Sequence, residues 1–209
     1  MGNAKEIPQI ILASASPRRS ELLRNAGIVF AVHRAHLQEE MLPGEAPMDH
    51  AKRLARDKAR SVFQQRPKEF ILGADTIVVA AKQVLGKPRD AADAARMLRL
   101  LSGCSHQVIT AVCLIGTETR NSKREAVFED IRAETTEVFM HRLTDEEIAA
   151  YIATGESMDK AGAYAIQGYA SRWIPKIVGC YFNVVGLPVS LVCRMLREHG
   201  IAPPRQAGA

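Results

Sequence analysis

The sequence has no apolar run near the roughly 20 residues that a membrane-spanning helix needs. Its start, Met1 to Ile10, carries Lys5 and Glu6 and is too polar for the apolar core of a secretion signal. No membrane partner is expected, and the expected location is cytoplasmic. Cysteine is scarce: Cys104, Cys113, Cys180 and Cys193 form no C-x-x-C pair. Four in a chain of 209 residues do not make a disulfide framework, so they are expected to be reduced core residues. The histidines show no H-E-x-x-H spacing and no cysteine stands before the arginine of a cysteine phosphatase, which sets zinc and thiolate chemistry aside. Neither a Walker A loop nor a G-x-G-x-x-G run occurs, which argues against a P-loop NTPase or a dinucleotide-binding oxidoreductase. Aromatic residues make up only 5%, and Lys and Arg are scattered, so neither a stacking platform nor a basic stripe for nucleic acid is evident.

What is present is ordinary globular material. With 47% hydrophobic and 24% charged residues the chain can bury a core, and its length suits one domain, residues 1–209, frayed from about Gly200. The net charge of +5 and a pI near 9.2 favour anionic partners, phosphate esters as well as nucleic acid.

Strand and helix patterns interleave, which places the chain in the α/β class. Gln9 to Ala13 reads as a strand, followed by a loop, Ser14-Ala-Ser-Pro-Arg-Arg19, and an amphipathic helix ending at Gly27. A helix is expected from about Pro47 to Gln65 with Asp49 as its cap, then a buried strand, Phe70 to Val79, interrupted by an acid. Gly86 to Asp90 reads as a turn, Ala91 to Leu101 as a helix, and Gln107 to Ile115 as a β-branched strand. The polar stretch Gly116 to Glu125 reads as a hairpin or excursion loop before a strand around Thr135 to Met140. Leu143 to Glu147 carries a capping signal for a helix to Thr154, a Gly-rich segment runs from Gly155 to Gly186, and a last helix runs from about Pro188 to His199.

Four places hold candidate chemistry. In the Ser14 to Arg19 loop, Ser16 can cap the helix and Pro17 fits its first position, which aims backbone N–H groups outward as an anion pocket. Two arginines in a first helical turn oppose the macrodipole by about 0.3–1 kcal/mol per charge. They mark either a bound phosphate or a solvated helix start. Asp75 sits mid-strand, where a buried carboxylate costs several kcal/mol unless it is paired or metal-bound, and neighbouring Gly73 and Ala74 leave room for a close approach; a turn aspartate is the competing reading. On a helical wheel Lys58 falls between Leu54, Ala55 and Val62, so it either has an anionic partner or snorkels. Lys87 in the Gly86-Lys-Pro turn is exposed by the same logic. Finally, in the turn-rich segment Asp159 to Gly168 charged residues sit directly against small and apolar ones, as in a pocket-lining loop, where Gln167 offers both donor and acceptor to a nucleobase edge or to nearby backbone.

In order along the chain, Leu12-Ala-Ser-Ala-Ser-Pro-Arg-Arg19, Leu72-Gly-Ala-Asp-Thr-Ile-Val78, Gly86-Lys-Pro88, Leu101-Ser-Gly103, Asp159-Lys-Ala-Gly-Ala-Tyr164 and Asn183-Val-Val-Gly-Leu-Pro188 resemble the Maf family of nucleotide pyrophosphatases. The likeness spans Ile11 to Leu187, and the Asp-Thr pair with Ala-Ile-Gln-Gly resembles the branch acting on dTTP and UTP rather than on 7-methyl-GTP. The resemblance implies an α/β fold with a mixed sheet and flanking helices, two lobes around a long cleft, and a homodimer. It implies hydrolysis of the α-β phosphoanhydride of a nucleoside triphosphate to monophosphate and pyrophosphate, with Mg²⁺ or Mn²⁺ as cofactor. By position, Asp75 matches the family's general base or metal ligand, and Glu39 a second acid and metal ligand. Lys58 and Lys87 match its basic positions; Ser14 and Arg19 lie in its phosphate loop; and Arg18, Thr76 and Gln167 match positions that set base choice. The chain departs from the pattern where His36-Leu-Gln-Glu39 replaces an Asp-x-Asp-Glu run, where Ala165 replaces a glycine, and where Tyr169-Ala-Ser replaces a Gly-rich continuation that would place a tyrosine near the base. A catalytically silent nucleotide sensor acting on cell division and a nucleic-acid-binding module are the alternatives.

Overall fold

The computed structural model describes residues 10–35, 37–120 and 124–201. One seven-stranded mixed sheet runs in the order β2 (Phe30–Val32), β1 (Ile10–Leu12), β3 (Phe70–Ala80), β5 (Ser105–Arg120), β6 (Arg124–Phe139), β7 (Lys176–Val178), with β4 (Gln83–Leu85) added to β3. β1 is parallel to β2 and β3, and every other pairing is antiparallel. The mixed α/β class expected from the sequence is the one observed.

Side-chain alternation along β3 builds two cores. Leu72, Ala74 and Val78 face one side, where α1 (Pro17–Asn25), α3 (Ala91–Leu101), α4 (Asp145–Ala153) and α6 (Val189–Glu198) pack over Leu23, Leu98, Tyr151 and Met195. Ile71 and Ile77 face the other, covered by α2 (Pro47–Phe63) through Ala51, Ala55, Ala59 and Val62. The small residues of α2 let it lie unusually close: a Cβ on Gly73 would stand 2.2 Å from the Ala55 carbonyl oxygen. The room expected beside Gly73 is therefore filled by α2 and admits no ligand.

β3 carries the feature that positions the cleft. One edge pairs with β5 from Ile71 to Val79. The opposite edge pairs with β1 only over residues 70–72 and with β4 only from Val78 to Ala80, which leaves residues 73–77 without a neighbouring strand on that side among the described residues. The gap opens where β1 ends and its chain turns into the Ser14 loop, at the carboxyl end of a parallel strand, the usual place for a ligand crevice in such sheets.

Several local expectations change. Of the two readings of Gly116 to Glu125, the hairpin is the one found, and it is longer than expected: β5 runs on to Arg120 and β6 begins at Arg124, with pairing continued to Arg120↔Arg124. A hairpin whose faces meet water stays polar while remaining extended. β2, β4, β7 and the short helix α5 (Tyr181–Val185) were not expected, being too short for a periodic signal. Asp49 lies in the first turn of α2, whose cap position is Ala46 followed by Pro47. Of the cysteines only Cys113 is buried; Cys104 is exposed, and Cys180 and Cys193 are half-buried. At the start of the end expected to fray, Gly200, with φ at 68°, closes α6 while Ile201 N–H donates to the Leu196 carbonyl at 2.8 Å and Ile201 is buried; residues 202–209 lie outside the described residues. That is a left-handed glycine cap with its hydrophobic contact. His36 lies outside the described residues. Among those residues no helix is long and apolar enough to cross a membrane.

Candidate active site

A cleft of about 550 Å³ wraps around the gap in β3. Its lining includes nine of the residues singled out from the sequence: Ser14, Arg18, Arg19, Glu39, Lys58, Asp75, Thr76, Lys87 and Gln167. α1 brings the arginines, α2 the lysine, β3 the acid and threonine, and the loop after β4 brings Lys87.

At the floor, Lys58 Nζ lies 2.6 Å from Asp75 Oδ1 and 2.5 Å from Glu39 Oε1. The anionic partner expected for Lys58 is found twice over. Because 58 falls on the buried stripe of α2 and 75 on the α2 side of β3, both charges are enclosed, at 8% and 6% exposure. Such a buried pair is stable only when each group keeps its partner. Two of the three ammonium N–H groups are engaged, and Asp75 Oδ2 has no hydrogen-bond partner among the described residues. Burial pushes the Glu39 carboxyl up, but the hydrogen bond and charge of Lys58, with Lys87 and Arg19 behind it, outweigh burial and hold it below its usual range.

Arg19 behaves differently from the expected phosphate ligand. Its Nε donates to the Gly186 carbonyl at 2.9 Å, one terminal nitrogen to Ser14 Oγ and the Ala74 carbonyl at 3.0 Å each, and the other to Thr76 Oγ1 at 3.0 Å. The Ala74 carbonyl belongs to the unpaired stretch of β3, so the guanidinium replaces the missing strand. Burial pulls its pKa down, and the charges of Asp75 and Glu39 partly restore it. Four of its five N–H groups are committed inside the protein. The acceptors that offset Arg19's unfavourable position in the first turn are thus the protein's own, and Arg18 pairs with Asp159 at 3.3 Å. Ser16 caps α1 as expected, accepting from Arg19 N–H.

Thr76 Oγ1 also meets Thr110 Oγ1 at 2.9 Å, and Thr110 donates to the Asn183 carbonyl. Its hydroxyl is tied to an internal network, although the residue lines the cleft. Gln167 is exposed on the cleft wall beside Ala165 and Ile166. Tyr169, expected near the base, is not part of the lining. Its ring packs on Tyr151 and Trp173, with the Arg172 guanidinium 3.7 Å over it. Gly168, with φ at 109°, turns the chain between Gln167 and Tyr169.

Three cleft features escaped sequence reasoning. Asp159 pairs with Arg18 although 141 residues separate them. Tyr164 lines the cleft and shares a 2.7 Å hydrogen bond with His106, whose burial lowers its pKa to about 4 and leaves it neutral. His50 lines the cleft with Nδ1 3.0 Å from Glu45 Oε2. The signal for His50 was available: 50, 54 and 58 fall at successive i, i+4 positions on one face.

A divalent cation here would need oxygen ligands from the cleft floor. Among the described residues no three His, Cys, Asp or Glu side chains form a metal cage. Magnesium and similar hard ions, however, take one or two carboxylates and complete their shell with water and phosphate oxygens. Glu39 and Asp75, converging on a single cationic atom, fit that demand.

The sequence model for the Maf-like protein family matches residues 9–199. A dTTP/UTP pyrophosphatase of Koribacter versatilis is 57% identical over 192 residues, 92% of this chain and 95% of its own. One from Citrifermentans bemidjiense is 53% identical over 191 residues, 91% and 95% of the two chains. Among solved structures, the Staphylococcus aureus Ham1 protein aligns at a TM-score of 0.42 with 12% identity, covering 91% of this chain and 98% of its own. With the family model covering nearly the whole chain and relatives above half identity matching end to end, this chain belongs to the Maf-like family.

Proposed function

We propose that the protein is a nucleoside triphosphate pyrophosphatase that cleaves dTTP and UTP to the monophosphate and pyrophosphate. The observation that carries this reading is the Lys58 ammonium held between Glu39 and Asp75 at the floor of a cleft rimmed by Arg18 and Lys87. The names of the Koribacter and Citrifermentans relatives support the substrates. The reading treats residues 1–209 as one catalytic domain, cytoplasmic and homodimeric.

In this reading the free N–H of Lys58, with Lys87 and Arg18, meets the phosphate oxygens and offsets the charge that builds on the leaving pyrophosphate. Arg19 keeps the Ser14 loop and β3 in register rather than following the substrate. Asp75, through Oδ2, either accepts the proton of the attacking water or serves as a ligand. Glu39 and Asp75 would hold Mg²⁺ or Mn²⁺, which supplies electrophilic activation of the phosphate.

Two outcomes follow. Incubation of the protein with dTTP or UTP and Mg²⁺ should release pyrophosphate and no orthophosphate, and EDTA should abolish turnover; orthophosphate as first product, or full activity in EDTA, rejects the reaction or the metal. Gln167→Ala should lower kcat/KM for dTTP and UTP far more than for GTP. The amide of Gln167 can match a pyrimidine's carbonyl and N3–H together, and a site built for such bonds discriminates by roughly 10²-fold or more. Kinetics with UTP, dTTP, CTP and GTP on both proteins check this, and an unchanged pyrimidine-to-purine ratio removes Gln167 from base choice.

A further inference from the structure

The cleft has two arms, because it passes through the gap in the sheet. Thr76 and Val78 point to the α1 side and Asp75 and Ile77 to the α2 side, yet all four line the same cavity. On the α1 side the wall is Val108, Tyr164, Ile166 and Val184 with Gln167 as its exposed amide, an apolar slot with one hydrogen-bonding group. On the α2 side the wall is Ala35, Met41, Leu54, Ile77 and Val84, with His50. The apolar part of this side carries one hydrogen-bonding group. Lys58 and Asp75, with Glu39, stand on the same α2 side, Lys58 one helical turn beyond Leu54 and two beyond His50, so the charged centre forms the inner end of this arm.

His50 is a built feature of the second arm. It is 4% exposed and sits on α2 about 12 Å along the axis from Lys58, at 1.5 Å per residue. Glu45 fixes the ring: its carboxylate receives Arg53 Nε at 2.6 Å and Arg53 Nη2 at 2.9 Å. The Arg53 contacts first, then burial working against them, then the Leu42 N–H and His50 hold Glu45 ionised, at about 2. Arg53 Nη2 also donates to the Glu40 carbonyl at 2.9 Å, which accounts for both of its protons. Arg53 Nη2 also lies 3.1 Å from His50 Nδ1, but with both of its protons placed on oxygens, Nδ1–H of His50 is the donor to Glu45, and Nε2 makes no hydrogen bond among the described residues. A lone polar atom on an apolar wall, held in orientation by a carboxylate, is how small-molecule sites fix one end of an organic group. A chain of bare phosphates, strongly hydrated and anionic, has little to gain from Met41, Leu54 and Val84.

We propose that the α2 arm receives a second organic group, so that the cleft accepts phosphate chains capped at both ends, the class of dinucleoside polyphosphates. The inference rests on the pyrophosphatase reading of the same charged centre. In the step, water oxygen bonds to the α phosphorus and the α-β bridging P–O bond breaks. The electron pair leaves with the nucleoside triphosphate, and the water's proton passes to the site and then to solvent. Diuridine tetraphosphate would thus yield one UMP and one UTP.

The test compares initial rates on UTP and diuridine tetraphosphate, with Mg²⁺, for the wild-type protein, His50→Leu and Met41→Glu. Met41 is 42% exposed, so a charge there leaves the fold intact while obstructing the arm. We expect UMP and UTP to appear together from the tetraphosphate, and each variant to lose about tenfold or more in kcat/KM for it while changing far less toward UTP. Cleavage of UTP with none of the tetraphosphate overturns the second arm and leaves the pyrophosphatase reading standing, as does an equal loss on both substrates in both variants. Failure to cleave UTP overturns the pyrophosphatase reading itself.

Discussion

Asp75→Asn is expected to reduce turnover of dTTP and UTP by at least ~10²-fold, the scale of a general-base contribution, while leaving the fold in place. The carboxylate has one oxygen bound to Lys58 and the other without a partner among the described residues. An amide oxygen can still accept from the ammonium, so the packing between β3 and α2 survives, and Lys58 keeps Glu39 as a counter-charge at 2.5 Å. What disappears is the negative charge, which either proton transfer or cation binding requires. Steady-state kinetics beside a thermal melt separate the two effects. Turnover close to that of the wild type removes Asp75 from the mechanism in both roles, whereas loss of the cooperative melt would show its charge to be structural.

Arg19→Met should show the opposite division: a large loss of stability, with activity falling because the site loses its frame. The methionine fills much of the volume but leaves the buried Ala74 carbonyl without its donor, while the Gly186 carbonyl keeps only Thr76 Oγ1 at 3.3 Å and Ser14 Oγ only the Ser16 N–H at 3.2 Å. An unsatisfied buried group costs about 1–3 kcal/mol, so a loss of about that size is expected in chemical denaturation. Against a total stability of about 5–15 kcal/mol that is a large fraction. Arg19→Lys should rescue little, since an ammonium cannot reach four acceptors set out for a planar fork. A variant as stable as the wild type would return Arg19 to the role of a free phosphate ligand.

The two substitutions show how differently neighbouring residues were legible. Asp75 and Lys58 could be read because each breaks a pattern, one an apolar strand and the other an apolar helix face, and a broken pattern demands a partner. Their partnership follows from pairing α2 with β3. Arg19 could be noticed but not assigned: its four acceptors come from residues 14, 74, 76 and 186, and no local rule reports a carbonyl left bare by a strand that stops early. Gly73 misled for the same reason. Its lack of a side chain signals close approach, but not whether a ligand or a helix approaches. The short strands β2, β4 and β7 were invisible because three residues show no period, and the polar length of β5 and β6 left hairpin and loop undecided because their exposed faces carry charge. Tyr169 was placed near the base by adjacency to Gln167, whereas the turn at Gly168 sends its ring to Tyr151 and Trp173.

An open strand edge is ordinarily a liability, since its bare amides and carbonyls invite a strand from another molecule. The unpaired stretch of β3 escapes this because β1 and β4 close it off at each end, and the Arg19 side chain stands where an intruding backbone would have to lie. The opening is too short for a foreign strand to lay down a ladder. The protein can therefore interrupt its sheet to make a cleft without becoming a template for its own aggregation.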